Sequence, residues 1–348
     1  MSLDQKLTVA LFPGQGSQHV GMSKELFENF KIVRESFEEA SDSASLNLKK
    51  LCFDGPESDL VLTEFTQPAL LTSSVAAFRV AQTELGFNPG AVAGHSLGEY
   101  SALVAAGALK LSDAARWVRA RGAAMQKAVP AGQGTMAAVM GLEDSKIEQL
   151  CIDATEVAKN KRSGGVAIIN EIEITVEAIV QPANFNAPGQ VVIAGSVDAV
   201  AEAIALIKGS KSGDPYSGGK AIPLSVSAPF HCQLMAPARD RMAELFALST
   251  SSKPSGLDCP YVPNRTGRIT GEPGVIFELL IEQVDHPVLW KQSVTALIQA
   301  GFSGGIEFGP GKVLQGLSKR ISGALDKSFP MMGVSDLATI KLFEGVLK

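Results

Sequence analysis

Eight residues constrain this chain more than any others: Val92-Ala93-Gly94-His95-Ser96-Leu97-Gly98-Glu99. A short apolar run turns through two glycines around one serine and continues into an alanine-rich stretch that ends at Gly107. Ala91 to Ala93 read as a buried strand and Glu99 to Ala106 as a tightly packed helix. Together they predict a strand-to-helix elbow with a serine hydroxyl at its tip. A serine alcohol is a weak nucleophile in water, so catalysis through it needs such a turn, a base nearby and amide donors behind it. In a chain with 34 glycines the bare Gly-x-Ser-x-Gly string also arises by chance; the flanking strand and helix give it weight.

Around the elbow the first 130 residues alternate. A strand at Leu7 to Phe12, helices near Ser23 to Ser41 and Gln67 to Leu85, the elbow strand and two helices through Lys127 predict an α/β fold with parallel strands. Pro130-Ala131-Gly132-Gln133-Gly134 breaks that rhythm. Beyond it the order is strand 135–140, helix 144–158, strand 179–184, strand 190–194, helix 197–208 and strand 220–224, which is the ferredoxin-like sequence of elements. Two apolar runs within 165–177 read as an added hairpin, 209–219 as a flexible loop, and Lys159-Asn160-Lys161-Arg162 as a solvated charge run. After about residue 225 the chain returns to α/β patterning.

Composition excludes several classes of function. With 45% hydrophobic and 19% charged residues in 348, the chain reads as globular rather than disordered. The N-terminus lacks a signal-peptide pattern, and no apolar run approaches the roughly 20 residues that span a bilayer, so a cytoplasmic location without membrane association is expected. Cys52, Cys151, Cys232 and Cys259 are scattered without a Cys-x-x-Cys pair, which argues against a disulfide framework and against a metal site. A net charge of −5 gives no support for nucleic-acid binding.

A catalytic serine needs a base, and the chain has only four histidines: His19, His95, His231 and His286. His95 adjoins Ser96 and points to the other side in a strand-like turn; His19 and His286 read as loop residues. His231 follows the strand Ile222 to Val226 by way of Ser227-Ala228-Pro229-Phe230, and in a parallel sheet that end shares an edge with the elbow. It is the best candidate. Arg121 stands out because the helix opening at Ser112, read as its N-cap, places Ala114, Val118, Arg121 and Met125 on one core-facing stripe. A buried guanidinium needs an anionic partner. That partner is either an internal carboxylate or one that arrives with a substrate. The turn Phe12-Pro13-Gly14-Gln15-Gly16-Ser17-Gln18 lacks dinucleotide or phosphate-loop spacing; it suits presentation of the Gln15 N–H to an oxyanion beside that of Leu97. Gly309-Pro310-Gly311 reads as a structural turn.

Taken in order, Phe12 to Gln18, Gly94-His95-Ser96-Leu97-Gly98-Glu99-Tyr100-Ser101-Ala102-Leu103, Arg121-Gly122, Asn184-Phe185-Asn186-Ala187-Pro188-Gly189-Gln190, Pro229-Phe230-His231-Cys232 and Gly309-Pro310-Gly311-Lys312-Val313-Leu314 resemble the malonyl-CoA:acyl carrier protein transacylase family. The resemblance runs from about residue 7 to 335. It implies a large hydrolase-like α/β domain over 1–130 and 206–348 carrying an inserted ferredoxin-like α+β subdomain over 131–205, with Ser96 as nucleophile, His231 as base, Arg121 as the malonyl carboxylate ligand, and Gln15 and Leu97 as backbone oxyanion donors. It also implies that the Gln283 backbone carbonyl orients the histidine, a dyad without an acid. Asp285-His286 departs from the commoner pattern before Pro287, as does the 165–177 insertion.

The reaction so implied is ping-pong transfer of malonyl from malonyl-CoA, a substrate rather than a bound cofactor, to the phosphopantetheine thiol of an acidic acyl carrier protein in fatty acid synthesis. Carrier docking would draw on basic residues such as Lys312, Lys319, Arg320, Arg265 and Arg268. The alternatives are a trans-acting acyltransferase of a polyketide synthase, and a serine thioesterase or esterase, which would call for an Asp or Glu third member.

Overall fold

A computed structural model describes residues 3–163, 168–169, 172–226, 228–249, 252–254 and 256–347. The strands are β1 (Thr8–Phe12), β2 (Ala91–Gly94), β3 (Gly134–Met140), β4 (Ile168–Ile169), β5 (Ile172–Glu173), β6 (Val180–Ala187), β7 (Gln190–Ser196), β8 (Lys220–Pro223), β9 (Tyr261–Val262), β10 (Gly304–Phe308) and β11 (Met331–Val334). The helices are α1 (Lys24–Asn29), α2 (Lys31–Ala44), α3 (Leu48–Asp54), α4 (Glu57–Leu60), α5 (Thr63–Leu85), α6 (Gly98–Ala105), α7 (Leu111–Lys127), α8 (Asp144–Arg162), α9 (Val197–Gly209), α10 (Ala236–Leu248), α11 (Ile276–Glu282), α12 (Trp290–Gln299), α13 (Val313–Ala324) and α14 (Leu337–Leu347). Contacts divide the chain into one unit of Met1–Ala123, Met242–Leu280 and Gln292–Lys348, and a second of Ala124–Arg241 and Ile281–Lys291.

The first unit is built on a parallel sheet in the order β11-β10-β1-β2-β9. Strands β1, β2 and β10 are buried throughout, as continuous apolar strands covered on both faces must be. Phe12 at the end of β1 joins Phe78, Phe87, Phe308 and Phe343 in a chain of ring contacts with centroids 5.0 to 6.4 Å apart, each such pair adding about 0.5–1.5 kcal/mol beyond its buried area. One acid interrupts β10: Glu307 is buried, and its carboxylate accepts the Leu314 and Gln315 N–H groups at 3.1 Å each. Burial pushes its pKa up, against the pull of those amides. It thereby ties β10 to the first turn of α13 and accounts for the Gly309-Pro310-Gly311 turn in structural terms.

The second unit holds an antiparallel sheet in the order β6-β7-β3-β8, with α8 and α9 packed on it. Ala137, Val139, Val191 and Ile193 from the sheet meet Ile147, Leu150 and Ala154 from α8 and Val200 and Ala203 from α9 in one core. Strand order and connections match the ferredoxin-like reading. Arg162 closes the helix pair, donating from Nε and Nη2 to Asp198 at 2.7 Å each; the rest of the charge run, 159–161, is exposed as expected, with Lys161 paired to Glu202. The 209–219 loop is tied down as well, because the buried Tyr216 hydroxyl donates to Asp153 Oδ2 at 2.5 Å. In the 165–177 segment β4 and β5 pair antiparallel over two residues, while Val166 and Ala167 lie outside the described residues.

Three expectations need correction. Strand β8 pairs antiparallel with β3, so His231 follows a strand of the small sheet, and the argument that placed it on a parallel edge with the elbow fails; Ser227 on that path lies outside the described residues. Ser112 is inside α7, its N–H donating to Glu39 Oε1 at 3.0 Å, so a carboxylate from α2 serves the helix start that a local N-cap was expected to serve. Residues 206–241, with 124–130 and 281–291, group with the second unit where 131–205 was expected, because β8 completes its sheet.

Candidate functional site

The elbow is made by two glycines whose backbones touch. A Cβ on Gly94 would lie 1.9 Å from the Gly98 carbonyl carbon, and one on Gly98 would lie 2.1 Å from Phe12 O, so no other residue fits without moving β1, β2 or α6. The same Phe12 carbonyl accepts the His95 N–H at 3.0 Å. This extends the β1–β2 ladder by one residue before the chain turns. Ser96 takes φ 51°, a left-handed conformation that costs a non-glycine residue about 1–2 kcal/mol.

That strain is held by Asn264, just after β9. Its Oδ1 accepts the Ser96 N–H at 2.6 Å, its Nδ2 donates to Gly94 O at 2.6 Å, and its own N–H donates to Glu99 Oε2 at 3.0 Å. Asn264 and Glu99 are buried. Glu99 also sits in the first turn of α6, where a carboxylate is favoured by the helix dipole. The hydrogen bonds of this turn and of the β1 loop use the Ser96, Gly98, Glu99 and Gly16 N–H groups and leave out those of Leu97 and Gln15, the two expected oxyanion donors.

Arg121 reaches the serine from α7. Its stripe-mates Ala114, Val118 and Met125 are buried as expected, and Arg121 itself is 1% exposed. Nη2 donates to Ser96 Oγ at 3.2 Å and Nη1 to Gln67 Oε1 at 2.9 Å; the guanidinium carbon lies 5.9 Å from the Tyr100 ring centre. Burial pulls the guanidinium pKa down, while Tyr100 and Glu99 pull it up. Gln67 comes within reach because α7 lies against the start of α5: a Cβ on Gly122 would sit 2.5 Å from Thr63 O.

The second unit carries the other expected pair. His231 is buried at φ 61°, and its Nδ1 lies 2.8 Å from the Gln283 carbonyl oxygen. A carbonyl only accepts, so Nδ1 carries the hydrogen, and Nε2 is the acceptor nitrogen when the ring is uncharged. Within this unit His231 borders a cavity of about 340 Å³ with Gln181, Gln233, Arg239, Asp285 and His286. Asp285, two residues after Gln283, is turned away from this role: its oxygens engage Arg239 and His286 at 2.7 Å.

The expected residues thus fall into two groups, Ser96 with Arg121, Gln15 and Leu97 in the first unit, and His231 with Gln283 in the second. Sequence reasoning missed Asn264, Glu99 and Gln67. A turn signal at Pro263-Asn264-Arg265-Thr266-Gly267 and a lone amide before Pro68 were the only traces of the first and last.

A serine at positive φ on a strand-to-helix elbow, in an α/β fold with a parallel sheet, defines the class of acyltransferases and hydrolases that work through a covalent serine ester. Within that class, residues 9–168 match the acyl transferase domain family. The chain is 43% identical to a malonyl CoA-acyl carrier protein transacylase of Salmonella typhimurium over 318 residues, 91% of this chain and 94% of that protein. Among solved structures, an acyl carrier protein S-malonyltransferase from Vibrio cholerae aligns with TM-score 0.82 at 42% identity, covering 96% of this chain and 99% of that one. A malonyl-transacylase in complex with its type II PKS acyl-carrier protein aligns with TM-score 0.83 at 38% identity, over 97% and 99%. The chain belongs to the malonyl CoA-acyl carrier protein transacylase family.

Proposed function

We propose that this chain transfers a malonyl group from malonyl-CoA to the phosphopantetheine thiol of an acyl carrier protein, supplying fatty acid synthesis. The observation that carries the reading is the pair of Arg121 hydrogen bonds, one to Ser96 Oγ and one to Gln67. A buried guanidinium on the nucleophile's own oxygen suits an acyl group that ends in a carboxylate.

In this mechanism Ser96 Oγ attacks the malonyl thioester carbon while His231 Nε2 takes its proton. The Gln15 and Leu97 N–H groups receive the oxyanion, each such donor being worth roughly 10²–10³ in rate. The C–S bond breaks, coenzyme A leaves with the proton returned by His231, and a malonyl-Ser96 ester remains. The carrier thiol then repeats the sequence in reverse, losing its proton to His231 and taking the malonyl group. Arg121 selects malonyl over acetyl, because only the malonyl carboxylate adds a charge-assisted hydrogen bond to the guanidinium, worth about 1.5–3 kcal/mol. Basic residues such as Lys312, Lys319 and Arg320 would receive the acidic carrier.

The four cysteines are free thiols, in keeping with a reducing, cytoplasmic setting, and no helix among the described residues is long and apolar enough to cross a membrane. Intact-mass measurement tests the reading: malonyl-CoA should add one malonyl group to the wild-type chain, phosphopantetheinylated carrier should remove it, and Ser96→Ala should take none. A thioesterase would release free malonate faster than it transfers malonyl to the carrier.

A further inference from the structure

The Gln283 carbonyl that meets His231 belongs to a segment tied by its own side chains. On α10, Arg239 donates from Nη1 to Asp285 Oδ2 at 2.7 Å and is itself braced by Asp240, whose Oδ1 takes Nε and Nη2 at 3.0 and 2.8 Å. The other Asp285 oxygen, Oδ1, lies 2.7 Å from His286 Nδ1, which also lies 2.9 Å from Glu282 O, the carbonyl that ends α11. Both neighbours of this nitrogen are acceptors, so it carries a hydrogen and bridges them. Gln283 stands between the bridged residues, and its carbonyl receives His231 Nδ1.

We propose that Asp285 and His286 are positioning residues for His231: by closing 282–286 into a hydrogen-bonded loop anchored on Arg239, they fix the direction of the Gln283 carbonyl and so the ring of the base. In a Ser-His-acid triad the carboxylate holds the imidazole directly; here the carboxylate holds the peptide that holds the imidazole. The inference rests on the reading of His231 as the base. Asp285 suits the task because it is buried while its cation, Arg239, reaches solvent, so the pair anchors the loop without stranding two charges in the interior.

The test uses the full chain and three variants. His286→Ala removes the bridging donor, and His286→Asn places an amide N–H close to where Nδ1 stood. Asp285→Asn keeps the size and weakens the hold on Arg239. Loss of the bridge should lower kcat for transfer to the carrier about ten-fold, within the roughly 10² that a misplaced catalytic group costs, with KM for malonyl-CoA within two-fold. The acid limb of kcat/KM should move to lower pH, because a carbonyl aimed at Nδ1–H favours the protonated ring and its misalignment removes that favour. His286→Asn should restore both readouts towards wild type, and Asp285→Asn should move both in the same direction as His286→Ala. An unmoved acid limb in His286→Ala and Asp285→Asn, or a defect that His286→Asn leaves in place, overturns the proposal. Failure of the underlying reading is seen separately, as a wild-type chain that takes no malonyl group.

Discussion

The side chain of Asn264 holds the backbone of Ser96: its amide oxygen accepts the serine N–H at 2.6 Å while its amide nitrogen ties down the carbonyl of Gly94. The Ser96 N–H is therefore committed to keeping the elbow in its left-handed turn. In the proposed mechanism the oxyanion donors accordingly come from neighbouring residues.

Asn264→Ala leaves that N–H and the Gly94 carbonyl buried without these partners, at about 1–3 kcal/mol each. Urea unfolding should show a loss of about 2–6 kcal/mol, and rapid-quench labelling should show Ser96 malonylation slowed at least ten-fold, roughly the cost of small misplacements at a reacting atom. A stable variant with normal labelling would mean that the turn holds itself.

Arg121→Ala should abolish malonyl transfer while acetyl transfer from acetyl-CoA persists or rises. Arg121→Lys should fall between the two, since one ammonium cannot span Gln67, Ser96 and a carboxylate as a planar fork does. Competition assays with both thioesters measure the switch; malonyl preference surviving in Arg121→Ala would remove the carboxylate role.

Glycine substitutions divide by geometry. Gly98→Ala drives a methyl to 2.1 Å from Phe12 O and should cost about 1–3 kcal/mol or more through forced backbone shifts, with loss of Ser96 labelling. Gly316→Ala, exposed on α13 with open space around its Cβ, should be neutral or stabilising by up to about 1 kcal/mol. Calorimetry on the two variants checks the contrast.

Asp198 reports on the second unit. Burial raises its pKa, but the Arg162 guanidinium, the Ser196 hydroxyl and the Ala199 amide pull it lower still, and the net shift is downward. A depressed folded pKa contributes stability that is present above the unfolded value of about 3.9 and disappears as pH falls through the folded value. Asp198→Asn should therefore be less stable than wild type at pH 7, with the gap closing in the acid range; a gap independent of pH would assign the effect to packing alone.

How much of this was legible depended on distance along the chain. The elbow, α6 and the stripe on α7 are local patterns, and the continuous apolar runs of β1 and β2 gave the parallel sheet directly. The start of α5, expected near Gln67, lies at Thr63, and the helix runs on through Pro68 inside it, where a proline forgoes one backbone hydrogen bond. Ser112 failed as a cap because Glu39, far away in sequence, does the capping. Asn264 lies 168 residues from the serine it holds, and nothing in the residues around either one encodes that contact. The Gln67–Arg121 pair is hidden in the same way, since α5 and α7 are each readable alone but their mutual depth is set by Gly122.

The elbow that carries Ser96 and the guanidinium that reaches it hang from different supports. Asn264, Glu99 and the paired glycines fix the serine; Gln67 and the backbone contact at Gly122 fix the arginine. Changes confined to α5 and α7 can therefore reshape the arginine's side of the site while the elbow keeps its own supports, the two being joined through the hydrogen bond from Arg121 to Ser96 Oγ. A library randomised at Gln67 and Arg121 alone would test whether acyl preference changes while those supports stay in place.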